Sequence, residues 1–402
     1  MISDEPFPHE SPPTRVTEIA SIMADRGHRV VLLCTGGRIV AGYSLRRPLV
    51  NLLPKIVPIS GVLRVYPPAI RLGQSNPLSK LFQGVFNMIS TLLFGGFLAV
   101  SGLIQPNVIY SSTAHAQGLI ASFLSGLKCV PLIVDYGDPA FVREAGIMLK
   151  INSFLERIAL SRASVVVSTD PVTSRYLVVR YNRHPAFIPN GYDRSFLTDS
   201  VKASTRADRK QLITFVGKID VSLYRFDILL EAFKQVLDKA PDTKLRLIGP
   251  GEDGGKLRNL MSRLGIDDSV EFLGFVQHRV VPRLLDEAAV CVHLTNDTCL
   301  GLKVFEYMAR RKPVVIASPW WHLYDDFLKN YWNCILVPLS PTDVANAMSK
   351  LLTDSGLAQT IADTAFKMIQ DYTWDKVADD MLTLMKRLTH TGQPQMPILS
   401  AS

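Results

Sequence analysis

The chain has 402 residues, 47% hydrophobic and 20% charged, enough for one or two packed cores. Its 25 glycines and 25 prolines follow no fixed period, which excludes collagen-like and low-complexity organisation. The net charge of +8 is unevenly placed: between Arg26 and Pro131 stand ten basic residues and no Asp or Glu, which implies an anionic partner for residues 26–130.

That partner is not expected to be nucleic acid. The basic residues are scattered among aliphatics, without the aromatic interleaving of a stacking surface. Cys34, Cys129, Cys291, Cys299 and Cys334 show neither Cys-x-x-Cys nor Cys/His spacing, so neither a disulfide framework nor a zinc site is expected. Met1-Ile2-Ser3-Asp4-Glu5 is acidic where a signal peptide needs a basic region, and the expectation is a cytoplasmic protein.

In chain order, Thr14 to Arg26 carries Val16, Ile19, Ala20 and Met23 at helical spacing and ends at Gly27. Arg29–Cys34 follows as a buried strand. Val108–Tyr110, Val130–Asp135, Ser164–Ser168 and Ala186–Pro189 are further strands, with helices near 116–127, 148–161 and 172–181. Leu81–Gln105 runs without a charge and is long enough to cross a bilayer. Its Gln83, Asn87, Ser90, Thr91, Ser101 and four glycines favour a buried helix, and a third reading is a helix dipping its apolar face into an anionic membrane surface.

Thr198–Lys210 is polar and charged, as a linker is. A second alternation follows: strands 212–216, 245–248, 270–273, 290–294, 314–316 and 334–337, with helices near 228–237, 256–264, 281–288 and 302–310. Such alternation predicts an α/β chain of two Rossmann-like doubly wound domains with a cleft between them. Expected limits are 1–200 and 208–372, then a helix over 373–388 and a disordered tail over 389–402.

Ligands of such sheets sit beyond the carboxyl ends of strands. Gly217 follows the first strand of the second half, and Lys218 and Arg225 can each neutralise a phosphate oxygen. Gly249-Pro250-Gly251 is a tight turn, usable for a phosphate or simply as a turn. The amides of Phe275 and Val276 could read a planar base. Gly301 and Leu302 open a helix, where free amides and the positive dipole end meet an anion. Lys303 and Glu306 share one face of its first turn: the carboxylate suits ribose hydroxyls, and the lysine is out of place beside the dipole unless a diphosphate lies there.

Gly301–Val315, Phe215-Val216-Gly217-Lys218, Gly249-Pro250-Gly251, Phe272–Val276 and Tyr372-Thr373-Trp374 together resemble glycosyltransferase family 4, with the GT-B fold. Phe7-Pro8, Arg26–Val30 and Ile188–Asp193 carry the likeness through the first half. The resemblance implies a retaining, metal-independent transferase moving a sugar from a nucleotide-diphosphate donor to an acceptor. The donor would bind the second domain, the acceptor the first, and the last helix would return to the first domain. It implies ribose binding by Glu306, diphosphate binding by Lys218 and Arg225, base contacts from Phe275 and Val276, and a cleft histidine at His115. The family's earlier glutamate falls at Thr298, eight positions before Glu306. No cofactor is expected beyond the nucleotide sugar, and the acceptor would be a lipid-linked molecule or a glycan, with the enzyme peripheral on the cytoplasmic face of a membrane. Two alternatives stay open, a scaffold that has lost turnover, suggested by Thr298, and a nucleotide-sugar 2-epimerase.

Overall fold

The computed structural model describes residues 2–3, 14–34, 49–51, 53–71, 77–137, 139, 146–197, 211–221, 224–251, 253–296, 300–324 and 327–391. The expected linker 198–210, Phe7-Pro8, Thr298 and most of the expected tail lie outside them; the last helix itself runs to Thr391. The chain divides into two compact units, one of residues 1–169, 173–189 and 374–402, the other of 170–172 and 190–373. The junction therefore precedes the limit expected at residue 200. The reason is local: the Tyr192 amide donates to the Tyr372 carbonyl at 3.1 Å, and Phe196 is buried in the second unit's core.

The first unit holds strands β1 (Ile2–Ser3), β2 (Val31–Cys34), β3 (Leu49–Asn51), β4 (Lys55–Ile59), β5 (Val62–Tyr66), β6 (Ala69–Arg71), β7 (Ile109–Ser111), β8 (Leu132–Tyr136), β9 (Val165–Ser168) and β10 (Ala186–Phe187). Eight of them form one sheet in the order β10-β9-β8-β7-β1-β2-β5-β4, parallel except for the β4/β5 hairpin, while β3 and β6 pair separately. Sequence reading missed the strands between residues 49 and 71, because Pro54, Pro58, Pro67 and Pro68 break the apolar runs there.

Helix α1 (Arg15–Asp25) starts in a capping box, Thr14 and Thr17 each bonding the other's amide, and buries the expected Val16, Ile19, Ala20 and Met23. The last helix of the chain (Trp374–Thr391) belongs to this unit and packs on α1, with Arg26 paired to Asp375 and Asp379.

Helix α2 (Pro77–Val100) corrects the reading of a buried core helix. Only 28% of its Phe82–Val100 window is buried. Its polar side chains face inward: Asn87 Oδ1 accepts from the Ile70 amide at 2.9 Å and its Nδ2 donates to the Ile70 carbonyl at 3.1 Å. Ser90 donates to the Pro68 carbonyl at 2.5 Å. Leu98 and Ala99 are buried, while Phe82, Val85, Ile89, Leu93, Phe97 and Val100 are exposed.

The second unit holds β11 (Leu212–Val216), β12 (Lys244–Ile248), β13 (Val270–Gly274), β14 (Val290–Leu294), β15 (Val314–Ala317) and β16 (Ile335–Val337), all parallel, in the order β13-β12-β11-β14-β15-β16. Strand order reverses between β11 and β14, and a doubly wound sheet binds its ligand outside such a switch point. Pairing of β11 with β14 stops at Thr214, so the strands part before Val216. A hydroxyl fills the gap. Tyr307 accepts from the Val216 amide at 2.7 Å and donates to the Val216 carbonyl at 3.2 Å, and burial holds its phenol well above the usual range.

Tyr307→Phe removes both bonds with little change of shape and leaves a buried amide unsatisfied. The expected loss is about 1–3 kcal/mol, read as a lower urea midpoint with an unchanged slope.

Candidate active site

The glycines after β11 and β12 are fixed by backbone contact. Gly249 has φ +146°, and a Cβ there would stand 1.7 Å from the Gly217 carbonyl oxygen. A Cβ on Gly251 would lie 2.1 Å from the Ile219 carbonyl oxygen, and the Ile219 amide donates to the Pro250 carbonyl at 2.7 Å. Gly217, Gly249, Pro250 and Gly251 thus form one interlocked strand-end surface. The turn alone accounts for the glycines.

Across the switch point, Gly301 precedes the helix Leu302–Ala309. A Cβ here would stand 2.7 Å from His293 Cε1, so the helix starts against β14 more closely than any side chain permits. The Val304 amide bonds the Gly301 carbonyl at 3.0 Å; the first amides of a helix have no intrahelical acceptor, and Gly301 has no side chain with which to cap them. Three residues on, Glu306 is 4% exposed. Lys303 Nζ lies 2.8 Å from each of its carboxylate oxygens, and His278 Nε2 lies 2.9 Å from Oε1. Burial pushes the Glu306 carboxyl up, but the Lys303 charge and the His278 hydrogen bond outweigh it and hold the group below the ordinary carboxylate value. This cluster offers an anion seat at a helix start beside an ionised carboxylate that can accept from hydroxyls.

Sequence reading assigned His278 no chemistry, since it is remote in sequence from the helix that carries Glu306. The Gly274 turn after β13 (φ +66°) delivers it: Phe275 is 58% exposed, Val276 packs on the second unit's core, and His278 follows in a short 3-10 turn.

The diphosphate assignments fare unequally. Lys218 follows β11 with its ammonium exposed, 3.0 Å from Asp220. Arg225 lies differently. Its guanidinium turns to Asp227 in the first turn of the helix Phe226–Leu237, at 2.5 Å, and lines a depression with Lys256, Leu257, Leu260 and Arg263. Tyr224 is the residue that faces the switch point, its ring carbon 3.8 Å from a Cβ placed on Gly217 and its ring centroid 5.9 Å from that of His293. One residue of register at a helix start decides between them.

In the first unit, His115 stands at the N-cap position of the helix Ala116–Lys128, after β7, and its Nε2 lies 2.9 Å from Glu156 Oε1. Glu156 is fully buried and also accepts from Tyr136 at 2.7 Å and Tyr181 at 2.6 Å. Burial and this carboxylate hold both phenols well above their usual range. Sequence reading missed Glu156, whose signal is an acid at a buried position of the helix Gly146–Arg162.

Residues 12–191 match the family model for the glycosyl transferase 4-like domain, and residues 210–354 the model for glycosyl transferases group 1. The chain belongs to the glycosyltransferases of the GT-B fold, consistent with family 4. It is 25% identical over 285 residues to mannosylfructose-phosphate synthase of Agrobacterium fabrum, covering 66% of this chain and 61% of that protein. It is 25% identical over 215 residues to phosphatidyl-myo-inositol mannosyltransferase of Mycobacterium tuberculosis, covering 51% of this chain and 54% of that one. The matched segments thus span between about half and three-fifths of these relatives' lengths. Among solved structures, sucrose-phosphate synthase of Thermosynechococcus elongatus superposes with TM-score 0.68 at 19% identity over 96% of this chain and 98% of its own. WaaG, a glycosyltransferase involved in lipopolysaccharide biosynthesis, gives TM-score 0.69 at 14% identity over 96% of this chain and 99% of its own. These likenesses show the fold.

Because the folded Glu306 carboxyl is held below its ordinary value of 4.5, its pairing stabilises the fold above that value and is lost as pH falls through the lower folded one. Glu306→Gln is therefore expected to cost about 1–3 kcal/mol at neutral pH, with the gap to wild type closing in acid. Urea unfolding of both proteins at several pH values reads this, and a gap independent of pH would contradict it.

Proposed function

We propose that the chain is a retaining, metal-independent glycosyltransferase that moves a sugar from a nucleoside-diphosphate sugar to a lipid-linked or glycan acceptor. The observation that carries the reading is the Gly301–Glu306 cluster at the switch point of the second sheet. There Glu306 accepts from the ribose hydroxyls, while Lys303, Lys218 and the amides of Gly301 and Leu302 meet the diphosphate, a preorganised electrostatic stabilisation of the leaving group. Phe275 and Val276 take the base. The sugar–phosphate bond breaks as the acceptor oxygen bonds to the sugar carbon on the same face, and the acceptor proton passes to the departing diphosphate. No enzymic nucleophile enters. His115, oriented by Glu156, serves the acceptor domain. Support for the donor comes from solved neighbours of the same fold, including an Anabaena protein (HepE) crystallised with UDP and glucose.

We also propose that the acceptor is reached at a membrane surface, on its cytoplasmic face. Phe123 and Leu127 are exposed on the helix Ala116–Lys128, which packs on α2, and Ile151 and Phe154 are exposed on the helix Gly146–Arg162, which packs on that one. Between residues 77 and 162 the acids among the described residues, Asp135 and Glu156, are both buried, whereas Lys150, Arg157 and Arg162 are exposed. An apolar ridge whose described neighbours expose basic and no acidic side chains between residues 77 and 162 suits anionic lipid. The name of one relative, phosphatidyl-myo-inositol mannosyltransferase, contains a phosphatidyl group.

A thermal-shift titration with UDP, GDP, ADP and CDP tests the donor site. The matching diphosphate at a hundred times its dissociation constant is expected to add about 2.7 kcal/mol, and Glu306→Ala to abolish the shift; no shift with any of the four would favour a scaffold. Consumption of nucleotide sugar without acceptor, yielding an isomerised sugar, would instead indicate an epimerase. For the membrane arm, the protein is expected to float with phosphatidylglycerol vesicles at low salt, and Leu93→Asp with Phe97→Asp to stay behind. Failure of the wild type to float would move the reading to soluble glycan acceptors.

A further inference from the structure

The lone-pair count at Glu306 points to a residue outside the donor set given above. Each carboxylate oxygen accepts about two hydrogen bonds. Among the described residues, Oε1 is already filled, by Lys303 Nζ at 2.8 Å and His278 Nε2 at 2.9 Å, whereas Oε2 holds Lys303 alone, at 2.8 Å. Two ribose hydroxyls cannot both be received while Lys303 spans the pair. A diphosphate at the helix start draws the Lys303 ammonium off the carboxylate, since the phosphates carry the larger charge. That frees one acceptor position on Oε1 and both on Oε2. What then keeps the nearly buried carboxylate in plane is His278.

We infer that His278 is the positioning residue of the ribose site: it locks the Glu306 carboxylate through Oε1 while Lys303 departs to the phosphates, and it ties that carboxylate to the base-reading turn. The inference rests on the donor-site reading given above. With Glu306 ionised, Nε2 carries the hydrogen and donates. The ring is held from its other side by Phe196, ring centroids 4.9 Å apart, and Phe196 is fully buried. His278 also follows Phe275 and Val276 with only Gln277 between, so a base that settles this turn settles the histidine that aims the carboxylate. Base and ribose are thereby read as one unit.

The test is discrimination between ribose and deoxyribose. Wild type, His278→Ala, His278→Gln and Glu306→Ala are titrated with UDP, GDP and ADP and with their 2′-deoxy forms, and unliganded melting curves check folding. Wild type is expected to prefer a ribonucleotide by about tenfold or more, the worth of a hydrogen bond to a charged group. His278→Ala is expected to lose most of that preference, chiefly through weaker binding of the ribo form. His278→Gln, which keeps an N–H donor, should recover it, and its result stands should the alanine variant melt early. In the double variant with Glu306→Ala the two losses should not add. If His278→Ala keeps the ratio while weakening both forms equally, or if a folded His278→Gln loses the ratio as His278→Ala does, the N–H donor does not aim the carboxylate and the inference falls. If Glu306→Ala itself keeps the ratio, the ribose assignment fails as well.

Discussion

The second unit of this protein depends on how one hydroxyl resolves a conflict in its sheet. A switch point needs β11 and β14 to diverge, yet divergence strips the last strand residue of its ladder partner, and a buried backbone amide left bare is costly. Tyr307 supplies both missing bonds to Val216. It thereby anchors the helix Leu302–Ala309 to the strand that leads into Gly217 and Lys218. The neighbouring residue on that helix is Glu306, so the bond that closes the sheet also fixes where the carboxylate stands.

Around that anchor the electrostatics run against local preference. A lysine in the first turn of a helix opposes the dipole, and a carboxylate that is 4% exposed resists ionisation. Each repairs the other, and His278 adds a donor from a different element. Such an arrangement is stable as it stands and, on the function proposed above, still suits a ligand, because a diphosphate would take over the role of counter-ion to Lys303 and a ribose the acceptor positions so released. Arg225 and Lys218 show the contrasting case, each paired with an aspartate two residues away at a solvent-accessible position, where ion pairs contribute little.

What the sequence disclosed follows the range of the interactions involved. The parallel strands were legible as β-branched runs, and β11 and β14 lie at 212–216 and 290–294 as expected. Lys303 and Glu306 were legible because helical periodicity places them together without knowledge of the rest. His278 and Glu156 were not, since each meets its partner only after separate elements have packed. Spacing did not distinguish Arg225 from its neighbour Tyr224, because adjacent residues at a helix start point in different directions and spacing alone carries no direction. The strands near residues 49–71 were hidden by prolines that in the structure flank or edge the β4/β5 hairpin.

Helix α2 shows why composition alone misjudges an apolar segment. Its polar residues argued for burial in a soluble core, and they are indeed the inward face, since Asn87 and Ser90 satisfy backbone groups at Ile70 and Pro68. But inward placement of the polar atoms leaves the aromatic and aliphatic side chains outward, the reverse of an ordinary surface helix. Gly95 lets the backbone settle on the sheet, a Cβ there falling 3.1 Å from a Leu33 methyl, and the exposed apolar side chains run from Phe82 to Val100. Phe123 adjoins the ridge, its ring 3.7 Å from a Cβ placed on Gly96. Fastened by these hydrogen bonds and by buried Leu98 and Ala99, the helix keeps its outer apolar side chains out of the core, and these are the side chains proposed above to meet lipid.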